Sequence, residues 1–172
     1  MNKQLRFSGS GGQGVITAAI LFAQSAVAQG FNVVQSQSYG PEARGGASKA
    51  EVIIDNSKIF HPHVKNPDVL LALTQKAADK YFHDINPDGV LIIDSDLVPN
   101  PPKFPNLVSI PFTKFATEKL GNPLFTNIIA LGTVAKVSSF SLDSIRNAIF
   151  ERFPAKSLES NFNALQLGFS KV

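Results

Sequence analysis

With 172 residues, 44% of them hydrophobic and 14 of them phenylalanine, the chain can bury roughly 70% of its unfolded surface as one domain. A net charge of +3, with no basic run interleaved with aromatics, argues against nucleic-acid binding. The lack of cysteine excludes disulfides, thiolate nucleophiles and Cys-ligated iron–sulfur clusters within this chain. No apolar leader opens the sequence and no run approaches about 18 consecutive apolar residues, so a soluble, cytoplasmic protein away from membranes is expected.

In chain order, a short apolar strand over 4–8 runs into Gly9-Ser10-Gly11-Gly12-Gln13-Gly14 and then a helix over 15–29. Gly9, Gly11 and Gly14 fit the G-x-G-x-x-G spacing, and a strand–turn–helix setting is where that spacing holds phosphate or another anion. Ile16, Ala19, Ile20, Ala23 and Val27 follow helical spacing, and Gly30 can close the helix. A second strand over 32–36 completes a right-handed βαβ unit with its two strands parallel. A dinucleotide site would place Asp or Glu at the end of that strand; Gln35, Ser36, Gln37 and Ser38 stand there instead, with no Arg as a substitute. The loop can still serve an anion, but a nicotinamide dehydrogenase is disfavoured.

A loop rich in glycine and charge spans 39–47, followed by an alternating strand over 49–54 and a turn at Asp55-Asn56 leading into 58–60. Continuous apolar runs at 69–73 and 90–93 read as buried strands, separated by a helix over 74–85 and a turn over 86–89. An irregular stretch with prolines at 99, 101, 102 and 105 precedes a strand over 107–110 and a helix over 112–120. Helices over 124–137, 142–153 with Ser141 as N-cap, and 158–169 finish the chain. The expected fold class is α/β: a single domain over 1–172 with a mostly parallel sheet flanked by helices, a Rossmann-like βαβ start and a hairpin after the second strand.

Two glycine loops, one after each of the first two strands, carry a resemblance. Gly9 to Gly14 match GxGGQG, and Ser38-Tyr39-Gly40-Pro41-Glu42-Ala43-Arg44-Gly45-Gly46 match S-Y-G-P-E-x-R-G-G. Asn127-Ile128-Ile129-Ala130-Leu131-Gly132 match a later N-x-x-A-L-G stretch. In this order, over essentially the whole chain, the sequence resembles the gamma subunit of 2-oxoacid:ferredoxin oxidoreductases, closest to the 2-oxoglutarate type. The resemblance implies a non-autonomous subunit, inactive alone, of an enzyme converting a 2-oxoacid and coenzyme A to acyl-CoA (succinyl-CoA for 2-oxoglutarate), CO2 and reduced ferredoxin. It further implies alpha, beta and delta or ferredoxin-like partner subunits, ferredoxin as the electron acceptor, and thiamine diphosphate, magnesium and iron–sulfur clusters in those partners. Coenzyme A would be the co-substrate at or near this chain.

The cofactor-binding residues expected on that footing are Gly9, Ser10, Gly11, Gly12, Gln13, Gly14, Tyr39, Arg44, Gly45 and Gly46, with no catalytic residue and no metal ligand. Four glycines in six residues exceed what a bare turn needs, so the first loop is read as an anion or coenzyme A contact rather than an empty turn. Gln13 can orient a ligand or cap the neighbouring backbone. Arg44 offers a planar fork for phosphate or carboxylate, against the alternative of an ion pair with Glu42. Tyr39 can stack on a ligand or edge the core. His61-Pro62-His63 make a poor zinc set, and His83 is read as a solvated face residue. Asp94 and Asp96 lie where ligands of open sheets gather, but are read first as caps of the next element. Ser8, Ser10 and Ser38 have no evident His–acid partners. The helix at 127–132 is either central or buried against another subunit, and Phe112, Phe115, Phe125 and Phe140 are read as core. Two competing functions are a free-standing nucleotide-binding oxidoreductase or regulatory module, and a purely structural assembly subunit.

Overall fold

The computed structural model describes residues 2–38 and 46–172. Alternation decides how the first strand sits. β1 (Asn2–Gly9) sends Leu5 and Phe7 to one face and Arg6 and Ser8 to the other, and all four are buried. A strand covered on both faces belongs inside a sheet. β1 accordingly pairs antiparallel with β3 (Ser48–Asp55) and parallel with β4 (Val69–Ala72). β5 (Val90–Asp94) and β6 (Leu107–Ile110) continue the parallel half, and β2 (Asn32–Gln37) pairs antiparallel with β3, giving the order β2-β3-β1-β4-β5-β6. The expected mostly parallel sheet with a hairpin after the second strand is present.

The two strands of the opening βαβ unit point the same way, as expected, but they are not neighbours. β3 lies between them. Its Ala50, Val52 and Ile54 on one face and Glu51 and Ile53 on the other are buried, which suits an interior strand. The half-buried, more polar β2 takes the edge, where its unpaired backbone side meets solvent at least cost.

The two faces are covered unequally. α1 (Val15–Ala28), α4 (Thr126–Val137), α5 (Leu142–Arg152) and α6 (Ala155–Phe169) share a large core with Leu5, Phe7, Val52, Ile54, Leu71 and Ile92, and α3 (Phe112–Leu120) adds Phe112 and Ala116. Phe140 lies 4.6 Å from Phe22 between ring centroids, and Phe115 and Phe125 pack at its border, so all four phenylalanines serve the core. On the other face α2 (Gln75–Tyr81) sets Ala77, Ala78 and Tyr81 against Leu70, Leu91 and Ile93. There Arg6 is buried and paired: Nε donates to Glu51 at 2.7 Å and Nη1 to Asp84 at 3.1 Å, with Lys49 also on Glu51 at 3.0 Å.

Three element details differ from the sequence expectation. α1 buries Val15, Ala18, Ala19, Phe22 and Ala26, while Val27 is 60% exposed. An apolar helix offers more than one stripe, and the alanine-rich one permits the closer approach. The helix expected over 74–85 ends at Tyr81 and tightens into a 3-10 turn over Phe82–Asp84, ahead of Asn86-Pro87, where the residue before proline leaves the helical region. α6 starts at Ala155, three residues early, because Pro154 serves as its N-cap and its carbonyl accepts from Ser157 N and Oγ.

The apolar stretch at 127–132 is a central helix. Every residue of α4 from Thr126 to Ala135 is buried, and its partner is α6 of the same chain. At their crossing a Cβ on Gly168 would run into the Ile129 carbonyl, one on Gly132 into the Leu165 carbonyl, and Thr133 Oγ1 donates to Gly168 O at 2.9 Å. Among the described residues, no helix is long and apolar enough to cross a membrane.

Candidate functional site

β1, β4, β5 and β6 all end at one rim of the sheet, and the loop after β1 is the barest of their exits. Gly11 and Gly12 are exposed, Ser10, Gln13 and Gly14 half-buried. Gln13 folds back on this loop: its Oε1 accepts from Ser10 N at 2.7 Å and its own N–H donates to Ser10 O at 3.3 Å. Its Oε1 thus caps the neighbouring backbone, one of the two roles open to that side chain. Gly14 is the N-cap of α1 in the left-handed region, φ 74, and a Cβ there would strike the side chain of Asn127. Asn127 Nδ2 donates to Gly14 O at 3.1 Å, which ties the start of α4 to the glycine loop.

α1 opens with no side-chain cap and no acidic residue in its first turn. Its first N–H groups and the positive end of its dipole therefore serve the loop side. Ser10, Gly11, Gly12, Gly14, Val15, Ile16, Thr17, Ser38 and Ser48 wall a groove of about 420 Å³ beside it. Ser38 and Ser48 are the described flanks of the second loop, and Ser48 pairs with Gly9. Both loops thus leave the sheet at the same rim. Gly46 is half-buried there, whereas Tyr39, Arg44 and Gly45 lie outside the described residues. On the other side of the glycine loop a crevice of about 320 Å³ is walled by Gly12, Gln13, Gly14, Leu97, Thr113, Pro123, Leu124, Thr126 and Asn127.

Other candidates resolve into structural roles or other places. Asp94, fully buried, caps α3: its Oδ2 accepts from Thr113 N at 2.9 Å and Thr113 Oγ1 at 2.7 Å, and its Oδ1 from Asp96 N at 3.1 Å. Asp96 is exposed. Ser8 Oγ donates to the Leu71 carbonyl at 2.7 Å. His61 and His63 are exposed and line a depression with Asn2 and Asp55, at the opposite rim; His83 is exposed beside Phe82. Thr17, Ser48, Thr113 and Leu97 carry no sequence signal and join the site by fold alone. Asn127 had one: a lone amide in the first turn of an otherwise apolar helix.

Comparison with known proteins fits this geometry. The family model for pyruvate ferredoxin/flavodoxin oxidoreductase matches residues 4–171. The chain is 41% identical to 2-oxoglutarate synthase subunit KorC of Methanocaldococcus jannaschii, covering 98% of this chain and 93% of that protein. A crystal structure of the gamma subunit of a keto/oxoacid ferredoxin oxidoreductase from Geobacter sulfurreducens superposes with a TM-score of 0.88 at 42% identity, over 98% of this chain and 97% of that one. The same fold recurs at 20% identity and a TM-score of 0.84 within 2-oxoglutarate:ferredoxin oxidoreductase from Magnetococcus marinus, solved with 2-oxoglutarate, coenzyme A and succinyl-CoA bound; 99% of this chain matches 31% of that longer chain. The chain belongs to the pyruvate ferredoxin/flavodoxin oxidoreductase family, and within it to the gamma-type subunits of 2-oxoacid:ferredoxin oxidoreductases.

Proposed function

We propose that this chain, as one gamma-type domain over 1–172, is the gamma subunit of a cytoplasmic 2-oxoglutarate:ferredoxin oxidoreductase and helps position coenzyme A at its glycine rim. The observation that carries this is the uncapped start of α1, with no carboxylate in its first turn, facing a groove where Ser10, Thr17, Ser38, Ser48 and the bare glycine backbone lie beside Val15 and Ile16. That combination suits a phosphate. The complex would convert 2-oxoglutarate and coenzyme A to succinyl-CoA, CO2 and reduced ferredoxin. Thiamine diphosphate, when bound in the partner alpha and beta subunits with magnesium, supplies the electron sink for decarboxylation, and iron–sulfur clusters in partner chains carry electrons to ferredoxin. This chain's own share is binding: Ser10 to Gly14 hold the anionic end, with Tyr39, Arg44, Gly45 and Gly46 of the second loop as the further binding residues. The relative solved with coenzyme A and succinyl-CoA bound supports the choice of ligand.

A dinucleotide reading is opposed by what the end of β2 brings to the glycine groove. Ser38 lines that groove, and Gln35, Ser36, Gln37 and Ser38 include no carboxylate of the kind with which a dinucleotide fold reads the ribose. In the reconstituted complex, Arg44→Ala is expected to raise the KM for coenzyme A about tenfold or more, with subunit assembly intact, as loss of a charged hydrogen bond would. An unchanged coenzyme A dependence removes Arg44 from the site and leaves the purely structural subunit as the better reading.

A further inference from the structure

Register decides which backbone groups of the edge strand are free. On β1, Gln4 N and O and Ser8 O all bond towards the β4 side, to Asp68 and Leu73. Successive residues of a strand turn their N–H and C=O to alternate sides, so Leu5, Phe7 and Gly9 face β3 and meet Val52, Ala50 and Ser48. The alternate residues of β3, Glu51, Ile53 and Asp55, then face β2 and meet Ser36, Val34 and Asn32. Lys49 O accepts from Ser38 N at 3.1 Å in the same phase. Left over on β2 are Val33, Gln35 and Gln37, whose N–H and C=O point away from the sheet. Among the described residues no strand lies beyond them. Exposed edges are usually guarded by lysine, proline or a bulge. This one has none of these. β2 pairs with β3 without interruption from Asn32 to Gln37, and residues 7–41 contain no Asp, Glu, Lys, Arg or His although 17% of the chain is charged. Beside the edge, on the α1 face, lies a groove of about 500 Å³ walled chiefly by Ile20, Ala23, Val27 and Val33, with Gln24 and Gln35. Glu151 of α5 is its one charged wall residue among those described.

We propose that β2 is the self-association edge of this chain: a second copy adds its own β2 antiparallel to it about a twofold axis, with Val33 opposite Gln37 and Gln35 opposite its counterpart on the axis. Of the possible registers, this one brings all three outward-pointing residues of each copy against those of the other. The twofold axis of an antiparallel pair stands perpendicular to the sheet. Both α1 helices therefore fall on the same face, and the two grooves open towards each other across the axis. Val27, 60% exposed in the single chain, thereby gains apolar cover. Charge favours a second copy over an unlike partner. The strand and α1 offer no charge by which a partner of opposite sign would be selected, and none that would repel their own kind. Such pairing holds whether or not coenzyme A binds at the glycine rim, and it places this chain in pairs in the assembled complex.

The test starts with the purified full chain in the analytical ultracentrifuge, where a dimer is expected. Gln35→Lys sets two ammonium groups against each other on the axis. It is expected to raise the dimer dissociation constant about tenfold or more, with the circular dichroism of the fold unchanged. Because the chain has no cysteine, a single introduced thiol reports the register. Residues facing each other in a hydrogen-bonded antiparallel pair have Cα atoms about 5.5 Å apart, within disulfide reach. Gln35→Cys is therefore expected to form a disulfide-linked dimer with oxidised glutathione, whereas Val33→Cys, which faces Gln37, is expected not to. A monomeric wild-type chain overturns the proposal. If the amides of Val33, Gln35 and Gln37 then gain protection from hydrogen exchange only when a partner subunit is added, the edge belongs to an unlike strand. A dimer that Gln35→Lys leaves intact and Gln35→Cys fails to cross-link overturns it too, since the contact then lies on another face.

Discussion

Gly14 is constrained twice, by its backbone and by its neighbour. At φ 74 an L-residue meets the penalty of the left-handed region, about 1–2 kcal/mol, and its Cβ would occupy the space of the Asn127 amide. Displacing that amide also removes the bond to Gly14 O and leaves a second unpaired group, adding about 1–3 kcal/mol. Gly12 carries only the first burden: φ is 87, but among the described residues no atom lies within contact distance of its missing Cβ. Gly14→Ala is therefore expected to lower the melting temperature of the purified chain by about 10 °C and Gly12→Ala by about 4 °C. Equal losses in the two variants would show that Asn127 does not fill the space behind Gly14. The sequence made the glycine loop legible because its spacing and setting are local. It left the role of Gln13 open, since a flexible amide reaches ligand and backbone equally well. It concealed Arg6, which reads as a break in an apolar strand; its partner Glu51 lies opposite it only through the β1–β3 register, 45 positions away.

Periodicity found every helix and strand of the described chain, within limits set by what each pattern encodes. Apolar runs such as Val69–Ala72 and Val90–Asp94 announce burial on two faces, so they were legible as interior strands. Which strand becomes the neighbour of β1 was not, because the insertion of β3 depends on nonlocal pairing. The α4–α6 crossing is of the same kind. Gly132 and Gly168 look like weak points in their helices, yet each marks where a backbone carbonyl of the other helix sits. The two effects oppose one another in Gly168→Ala: helix propensity favours alanine by about 1 kcal/mol, whereas forcing the helices apart costs about 1–3 kcal/mol or more. The obstructing atom is the main-chain oxygen of Ile129 and cannot rotate away, so the steric cost should win. Denaturant unfolding of the chain is expected to show a net loss of about 2 kcal/mol. A gain in stability would mean the helices are not in backbone contact.

At the scale of the molecule, strand direction concentrates function at one edge. β1, β4 and β6 deliver α1, α2 and α3 to the same rim, and α4 starts there against Gly14, while His61 and His63 sit at the far rim beside Asn2 and Asp55. Direction follows from parallel pairing, and parallel pairing from the crossovers, so a ligand held by helix starts has one end of the sheet available to it. On the proposed function, coenzyme A added to the complex should slow amide hydrogen exchange in residues 10–17, at the opening of α1, and in 126–129, at the opening of α4. Segment 56–66 at the opposite rim should exchange at its unliganded rate. The prediction separates this reading from a general tightening of the assembly, which would slow exchange at both rims, because only direct contact is confined to the helix starts. Protection that appears in the groove of Ile20, Val27 and Val33 along the edge strand, and spares the glycine loop, would move the coenzyme A contact away from the rim altogether.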